Sequence, residues 1–322
     1  MDDSTVLVLA HPAAPELAML DALPDTTTIA VGITPEAFER TAARADVILN
    51  CEADAKVLAQ VWRMAPRVRW VHSLSAGLDS MLFPALVESP VPVTNARGVF
   101  SDALGEFAIG AVLFFAKDFR RLVRSQNAGI WDPLDVVPIR GQSLGIVGYG
   151  DVGRAVASRG HALGMKVLAM RRRPELSRED PIVAQMFSPD QKQEMLAQSD
   201  YVVVTMPLTP ESRGMIGERE LEVMKPGAVL VNIGRGPVVD EAALIRTLEQ
   251  KRIRGAALDV FNVEPLPPGH PFFRLDNVLL SPHSADRTAG WKRRAMQVFL
   301  ENFERFRRGE PLRNVVDKKL GY

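Results

Sequence analysis

Short apolar runs alternate with helical patterns along almost the whole chain, and this alternation limits the fold more than any other feature. The runs lie at residues 6–10, 29–32, 46–50, 68–73, 91–95, 144–147, 166–170, 201–205, 228–233, 255–260 and 278–280. Strands that are separated by helices pair in parallel, because the crossover helix returns the chain to the same edge of the sheet. The sequence therefore predicts an α/β fold of doubly wound parallel sheets.

The length of the chain and the grouping of these runs indicate two domains. The chain has 322 residues, and one domain usually has about 100–200. Residues 97–288 hold the strand-rich middle, and residues 1–96 form a second α/β unit. We expect a final helix near residues 288–308 to cross back to this second unit. The predicted domains are therefore 97–288 and a discontinuous domain of 1–96 with about 289–322.

Other helical patterns predict the crossovers between strands. They lie near residues 16–23, 35–45, 152–163 and 241–250, and one long helix extends from Ser101 to about Gln126. Ser101 is a suitable N-cap, and Asp102 lies near the positive end of the helix, where a carboxylate is favourable. The apolar side chains of this helix, which include Phe107 and Phe114, are more than one face needs. The helix is therefore either the interface of a homodimer or a central core element.

The charge balance and the single cysteine narrow the classes of function. Lys plus Arg and Asp plus Glu are 39 each, so the formal net charge is zero. We do not expect nucleic acid or an anionic membrane as the main partner of such a chain. Cys51 cannot form an intrachain disulfide, which fits a reducing compartment. The acidic start differs from a secretory signal and the apolar run at 107–116 is short, so we expect a cytoplasmic protein. The scattered His and Cys residues lack metal-ligand spacing, so we expect no metal.

The clearest local motif is a glycine-rich turn between the run at 144–147 and the helix near 152–163. The segment Gly148-Tyr149-Gly150-Asp151-Val152-Gly153 fits the pattern G-x-G-x-x-G. One glycine allows a tight turn, one lets the backbone approach a diphosphate, and one lets the helix pack on the strand. The N–H groups at the start of the helix then face the phosphates. The context of strand, turn and helix predicts that these six residues bind a dinucleotide.

Three arginines follow the next strand and indicate which dinucleotide binds. About 20 residues after the first glycine, an NAD site places Asp or Glu on the ribose hydroxyls. Arg171, Arg172 and Arg173 stand there instead. A carboxylate repels a ribose 2′-phosphate, whereas guanidinium groups bind it through paired hydrogen bonds. We therefore expect the three arginines to bind the cofactor, and NADP(H) to be preferred over NAD(H). The alternative is a solvated basic turn.

Ordered segments along the chain are similar to those of a known enzyme family. They are Ser75-Ala76-Gly77-Leu78-Asp79, Asn95-Ala96-Arg97-Gly98 followed by Glu106, Pro207-Leu208-Thr209-Pro210-Glu211-Ser212, Asn232-Ile233-Gly234-Arg235-Gly236, Asp259-Val260-Phe261 with Glu264-Pro265, and Ser281-Pro282-His283-Ser284-Ala285. In this order they resemble the D-isomer-specific 2-hydroxyacid dehydrogenases over nearly the whole chain. The resemblance implies two Rossmann-like domains with an active-site cleft between them.

Three residues carry the chemistry that this resemblance implies. His283 would exchange the proton, because imidazole holds or releases one near neutral pH and a ketone needs one as hydride arrives. Glu264 would orient the imidazole and favour its charged form. Arg235 would bind the substrate carboxylate in a two-point fork and polarise the carbonyl. The other histidines lack such support and are expected to be structural: His11, His72, His161 and His270.

Further site residues are implied by the same resemblance. The backbone N–H groups of Ser75, Ala76 and Gly77 would bind the other side of the substrate carboxylate. Asp259 resembles the family residue that contacts the nicotinamide carboxamide. Three residues would line the cofactor groove: Thr205, Pro207 and Ile233.

The resemblance predicts an NAD(P)-dependent reductase that converts a small 2-oxo acid into the D-2-hydroxy acid. Glyoxylate/hydroxypyruvate reductases are similar in size and often use NADPH, so glyoxylate, hydroxypyruvate or pyruvate is the expected type of substrate. Two alternatives stay open: an NAD(P)-sensing binding protein like the transcriptional corepressors of this superfamily, and a phosphite dehydrogenase. The family commonly forms two-fold dimers, so a homodimer is the expected assembly.

Overall fold

The computed structural model describes residues 3–322, and the chain divides into two compact units. The first unit contains the residues up to Val99 together with Ala289–Tyr322, and the second is Phe100–Thr288. Within the described residues, each unit is built around one sheet, with five strands in the first and seven in the second. All paired strands within both sheets are parallel, so the predicted α/β fold of two Rossmann-like units is confirmed.

The elements of the described residues have the following bounds. The strands are β1 (Thr5–Leu9), β2 (Thr28–Gly32), β3 (Val47–Asn50), β4 (Trp70–Ser73), β5 (Val93–Asn95), β6 (Ser143–Val147), β7 (Lys166–Met170), β8 (Gln185–Phe187), β9 (Tyr201–Val204), β10 (Val229–Asn232), β11 (Gly255–Leu258) and β12 (Val278–Leu280). The α-helices are α1 (Ala55–Met64), α2 (Pro84–Glu88), α3 (Ser101–Ala116), α4 (Phe119–Asn127), α5 (Asp151–Ala162), α6 (Lys192–Gln198), α7 (Glu218–Val223), α8 (Glu241–Glu249) and α9 (Trp291–Arg307). The 3₁₀ helices are Pro15–Ala22, Pro35–Phe38, Ala42–Arg44, Pro174–Ser177, Pro189–Gln191, Gly236–Val238 and Pro271–Phe273.

The sheet of the first unit has the strand order β2-β1-β3-β4-β5. Its central strands are buried along their whole length, as expected for parallel strands covered on both faces. The C-terminal helix α9 completes this core, where Phe299 stacks on Trp70 with 5.3 Å between the ring centroids. The segment after α9 then returns to β5. There, Nδ2 of Asn314 donates to the carbonyl oxygen of Asn95 at 3.2 Å.

The sheet of the second unit has the strand order β12-β11-β10-β9-β6-β7-β8. The order reverses at β6, whose neighbours are β7 on one side and β9 on the other. In open α/β sheets, ligands bind outside the carboxyl ends of the strands at such a reversal. The glycine-rich turn follows β6 directly, so the fold places it at this point.

Several predicted helices differ from those in the structure. The patterns at residues 16–23 and 35–45 predict helices, and the structure has the short 3₁₀ helices Pro15–Ala22, Pro35–Phe38 and Ala42–Arg44 there. The long helix after Ser101 is divided into α3 and α4 at Asp118, which has φ = 49°. The Asp118 side chain accepts from the N–H of Arg121 at 3.3 Å, so it caps the second helix and ends the continuity of the first.

No helix within residues 3–322 combines the length and the apolar content that crossing a lipid bilayer requires.

Candidate active site

The predicted catalytic residues follow three neighbouring strands of the second unit. Arg235 follows β10, Glu264 follows β11 and His283 follows β12. These strands are adjacent and parallel, with Asn232 opposite Leu258 and Leu258 opposite Leu280. Their carboxyl ends therefore meet at one edge of the sheet, where the ligands of open α/β sheets bind.

His283 and Glu264 are directly hydrogen-bonded, with 2.6 Å between Nδ1 and Oε2. An ionised carboxylate can only accept, so Nδ1 of His283 carries the proton of this bond. Nε2 is then the ring atom at which a second proton can be held or released. The other carboxylate oxygen, Oε1, accepts from the N–H of Phe261 at 2.9 Å. The two side chains are 41% and 34% exposed, so the pair is fixed by the protein yet accessible to a small molecule.

The turn that presents His283 is held in an uncommon backbone conformation. His283 has φ = 48°, in the left-handed region that residues other than glycine seldom adopt. Its N–H donates to the carbonyl oxygen of Asp259 at 2.8 Å. Oδ1 of Asp259 accepts from the N–H groups of Ser284 and Ala285 at 2.9 and 3.1 Å. Asp259, which is 1% exposed, thus fixes the His283 turn, whereas its predicted contact with nicotinamide stays a prediction.

The turn of Arg235 packs tightly against two neighbouring loops. A Cβ atom on Gly236 would lie 2.0 Å from the carbonyl carbon of Phe261, and one on Gly234 would lie 2.6 Å from the carbonyl oxygen of Met206. Glycine is therefore required on both sides of Arg235 for the backbones to approach. Nδ2 of Asn232 donates to the carbonyl oxygen of Arg235 at 3.1 Å and fixes the turn. Arg235 is half-buried, and its Nη1 donates to the carbonyl oxygen of Gly234.

A carboxylate on α8 braces the loop that carries Glu264, and no sequence motif indicates this contact. Oε2 of Glu241 accepts from the N–H of Asn262 at 3.3 Å, and Oε1 lies 3.4 Å from Nε2 of His270. Nδ1 of His270 accepts from the N–H of Phe272, so its proton is on Nε2 and points to Glu241. Glu241 therefore holds the loop at both ends, and His270 has a structural role, as expected.

The glycine-rich turn has the geometry of a diphosphate cradle. Gly148 has φ = 104°, and a Cβ atom there would lie 2.7 Å from Cγ of Met206. A Cβ atom on Gly153 would lie 2.3 Å from the carbonyl oxygen of Gly148, so this glycine allows α5 to pack on the turn. Gly150 is different, because a Cβ atom there would meet nothing within 4 Å. The turn is thus open at Gly150, on the side where a phosphate would approach.

The start of α5 follows this turn directly. The helix has Gly150 as its N-cap, and this residue provides no side-chain cap. The N-terminus of a helix attracts anions through its backbone N–H groups and through the helix dipole. With the open face at Gly150, the residues fit the diphosphate of a dinucleotide. The other predicted members of the turn, Tyr149, Asp151 and Val152, lie in the same turn or in the first turn of α5.

The remaining predicted cofactor residues follow the strands next to this turn. Thr205 comes directly after β9, and its Oγ1 donates to the carbonyl oxygen of Gly148 at 2.5 Å. Pro207 lies two residues further on, and Ile233 directly follows β10. Arg171, Arg172 and Arg173 follow β7. Arg172 and Arg173 are exposed, whereas the half-buried Arg171 donates from Nη1 to the hydroxyl of Ser177.

The predicted substrate loop lies in the first unit, after the carboxyl end of β4. The N–H of Ser75 donates to Oγ of Ser73 at 3.2 Å, and the carbonyl oxygen of Ala76 accepts from Nδ2 of Asn95 at 2.7 Å. The loop is therefore tied to β4 and β5 by polar contacts. The roles of Ser75, Ala76 and Gly77 toward a substrate stay predictions.

Within residues 3–322, no three His, Cys, Asp or Glu side chains are grouped so that they could hold a metal ion.

Comparisons with known proteins agree with this architecture. Residues 109–285 match the family model described as D-isomer specific 2-hydroxyacid dehydrogenase, NAD binding domain. A glyoxylate reductase of Korarchaeum cryptofilum is 35% identical over 286 residues, which is 85% of each chain. A glyoxylate reductase of Thermococcus gammatolerans is 36% identical over 274 residues, which is 82% of this chain and 81% of the relative.

Two solved structures extend the comparison to the whole fold. A D-isomer specific 2-hydroxyacid dehydrogenase from Xanthobacter autotrophicus Py2, in complex with NADPH and MES, has a TM-score of 0.85 and 31% identity and covers 100% of both chains. An NADPH-dependent glyoxylate/hydroxypyruvate reductase from Sinorhizobium meliloti, in complex with NADP and sulfate, has a TM-score of 0.83 and 25% identity. It covers 99% of this chain and 100% of its own.

The fold and the site define a nicotinamide-dependent oxidoreductase with two Rossmann-like units. The chain belongs to the D-isomer specific 2-hydroxyacid dehydrogenase family. It is an NAD(P)-dependent dehydrogenase, as its sequence predicts.

Proposed function

We propose that this chain reduces a small 2-oxo acid of the glyoxylate or hydroxypyruvate type to the D-2-hydroxy acid, with NADPH as the preferred reductant. The hydrogen bond between His283 and Glu264 carries this proposal. An imidazole that is oriented by a carboxylate at the carboxyl ends of parallel strands is suited to general acid–base chemistry. The relatives named glyoxylate reductases support the substrate type.

The residues divide the reaction into binding, orientation and proton transfer. Arg235 binds the substrate carboxylate through two parallel hydrogen bonds, which fixes the direction of the adjacent carbonyl group. Glu264 accepts the hydrogen bond from Nδ1 of His283 and so fixes the orientation of the imidazole ring. A bound reduced nicotinamide supplies the hydride. His283 releases the proton on Nε2 to the carbonyl oxygen as the carbonyl carbon accepts that hydride, so that the product is a neutral hydroxyl group.

The preference for NADPH follows from the charges after β7. Arg171, Arg172 and Arg173 stand where a carboxylate would bind the ribose hydroxyls of NAD. We expect Arg171→Asp to raise the KM of NADPH by about tenfold or more, since one charge-assisted hydrogen bond contributes about 1.5–3 kcal/mol. The KM of NADH should change far less. Initial rates with both cofactors check this, and equal losses for the two would argue against phosphate recognition by Arg171.

The substrate is tested with a panel of 2-oxo acids and both cofactors. We expect turnover with NADPH on glyoxylate and hydroxypyruvate, and slower turnover on 2-oxo acids with bulkier side chains. Tight NADPH binding without turnover on any member would favour the alternative of a cofactor-sensing binding protein. Phosphite added with NADP⁺ or NAD⁺ tests the alternative of a phosphite dehydrogenase. Such an enzyme would oxidise phosphite, and reduced cofactor would accumulate.

A further inference from the structure

The side chain of Tyr149 leaves the glycine-rich turn and reaches a residue 31 positions further along the chain. Its hydroxyl donates to Oδ2 of Asp180 at 3.0 Å. Nε of Arg154, in the first turn of α5, donates to the same oxygen at 2.9 Å. Tyr149 is 3% exposed and the Asp180 side chain 11%. The three side chains form a hydrogen-bonded group, the Tyr149–Asp180–Arg154 cluster.

The cluster keeps its hydrogen bonds over the neutral pH range. Burial, together with the bond to Asp180, raises the pKa of Tyr149, so its hydroxyl stays protonated and remains a donor. Burial alone would raise the pKa of Asp180, but the hydrogen bonds from Arg154 and Tyr149 outweigh it and lower the pKa. Asp180 is therefore an ionised acceptor whose Oδ2 already bonds to two donors of this chain.

Asp180 also makes hydrogen bonds near the end of the segment that begins with the predicted phosphate-binding arginines. Its N–H donates to the carbonyl oxygen of Ser177 at 3.2 Å, and its Oδ1 accepts from the N–H of Ile182 at 3.3 Å. The hydroxyl of Ser177 in turn accepts from Nη1 of Arg171. A continuous set of polar contacts thus extends from the glycine-rich turn through Asp180 and Ser177 to the Arg171 guanidinium group.

We propose that Asp180 is a positioning residue for cofactor selection, which ties residues 171–182 to Tyr149 and Arg154 and so holds Arg171 where it meets the ribose phosphate of NADP(H). This inference rests on the preference for NADP(H) proposed above. Asp180 acts through Arg171 and does not itself bind the cofactor. A substitution of Asp180 should therefore change the KM of NADPH and leave kcat unchanged.

Electrostatics alone and the positioning role predict opposite changes in NADPH affinity when Asp180 is neutralised. The residue is an anion, and neutralising it makes the surroundings of the arginines more positive, which by itself favours binding of a phosphate. Positioning predicts weaker binding, because Arg171 then lies in a segment that has lost its anchor. The direction of the change in NADPH affinity thus separates the two explanations.

The test uses Asp180→Asn and Asp180→Ala in the full chain. KM values for NADPH and NADH are measured with glyoxylate, and binding of 2′,5′-ADP and 5′-ADP is measured by calorimetry. We expect the ratio of the NADPH KM to the NADH KM to rise about five- to tenfold, as for the loss of one or two hydrogen bonds. The Kd of 2′,5′-ADP should rise by the same factor, while that of 5′-ADP should change by less than about twofold.

Glu179→Gln is the matched control, because it removes the same charge from an exposed side chain one residue away. We expect it to leave the KM ratio within about twofold of wild type, as for a surface charge. A ratio that stays constant or falls in the Asp180 variants would overturn the inference, and so would equal losses for both cofactors. The Arg171→Asp variant separates phosphate recognition by Arg171 from the positioning role of Asp180. If it leaves the ratio unchanged, phosphate recognition fails; if it alone raises the ratio, only the positioning role of Asp180 fails.

Discussion

Glu264 divides its two carboxylate oxygens between the backbone of its own loop and the imidazole of His283. Glu264→Gln keeps one oxygen and places an NH₂ donor where the second oxygen lies, so it can accept only one of these two hydrogen bonds. We expect kcat for glyoxylate reduction with NADPH to fall about tenfold or more, since a hydrogen bond to a charged group contributes about 1.5–3 kcal/mol. Steady-state kinetics at a fixed pH check this.

The KM of NADPH provides the control for Glu264→Gln. Glu264 orients His283 and is not among the residues expected to bind the cofactor, so this KM should stay within about twofold of the wild-type value. A kcat equal to that of wild type would contradict the role assigned to Glu264.

A second histidine shows the opposite environment. His72 on β4 is fully buried against both Trp70 and Phe299, and burial lowers its pKa to about 3. Its Nδ1 lies 2.7 Å from Oγ1 of Thr94, and its Nε2 has no hydrogen-bond partner in the described residues. His72 is therefore neutral at physiological pH and belongs to the core, as its sequence context predicts.

The buried His72 makes the protein sensitive to acid. Below about pH 6.5 the unfolded chain takes up a proton that the folded chain accepts only near pH 3, so stability falls as pH decreases through this window. The loss from this residue reaches about 2–3 kcal/mol at pH 4.5. His72→Phe should reduce the difference between unfolding free energies at pH 7 and pH 4.5 by this amount, which urea titrations measure. An unchanged difference would show that other groups set the acid sensitivity.

At the scale of elements, the three strands β10, β11 and β12 set the spacing of the site, while α8 braces one of its loops. Glu241→Ala removes acceptors for Asn262 and His270. We expect kcat to fall about five- to tenfold, because the loop that positions Glu264 loses its anchors. Glu249→Ala, which alters an exposed residue of the same helix, is the matched control. Steady-state kinetics check this, and a kcat equal to that of the control would speak against the brace.

The strands were predictable because parallel strands buried on both faces are continuous apolar runs. The glycine-rich turn and the candidate residues Arg235, Glu264 and His283 were recognisable because they lie in short motifs. The functional roles of these residues stay predictions.

Other features could not be predicted because they depend on contacts between distant residues. The short strand β8 (Gln185–Phe187) has only two apolar residues, because the polar Gln185 interrupts the apolar residues at 182–187. The break at Asp118 arises from a cap inside a sequence that otherwise favours one helix. Asp180 and Glu241 bond to groups 31 and 21 residues away and belong to no motif.

At the scale of the whole molecule, the predicted homodimer is tied to the role of α3. This helix packs along α5, and Ala108, Val112 and Phe115 lie in the core of the second unit. One face of α3 is thus a core element, and the homodimer stays a prediction. We expect sedimentation velocity at micromolar concentration to give about twice the mass of one chain, and a single species at 35.4 kDa would contradict it.

The order of the two units along the chain has a consequence for biosynthesis. When a ribosome has added Thr288, every residue of the second unit has been made, whereas the first unit still lacks α9 and the Phe299 ring that stacks on Trp70. The unit whose strands are synthesised first is therefore completed after the other one, and its sheet must stay unaggregated without α9 while the second unit is synthesised.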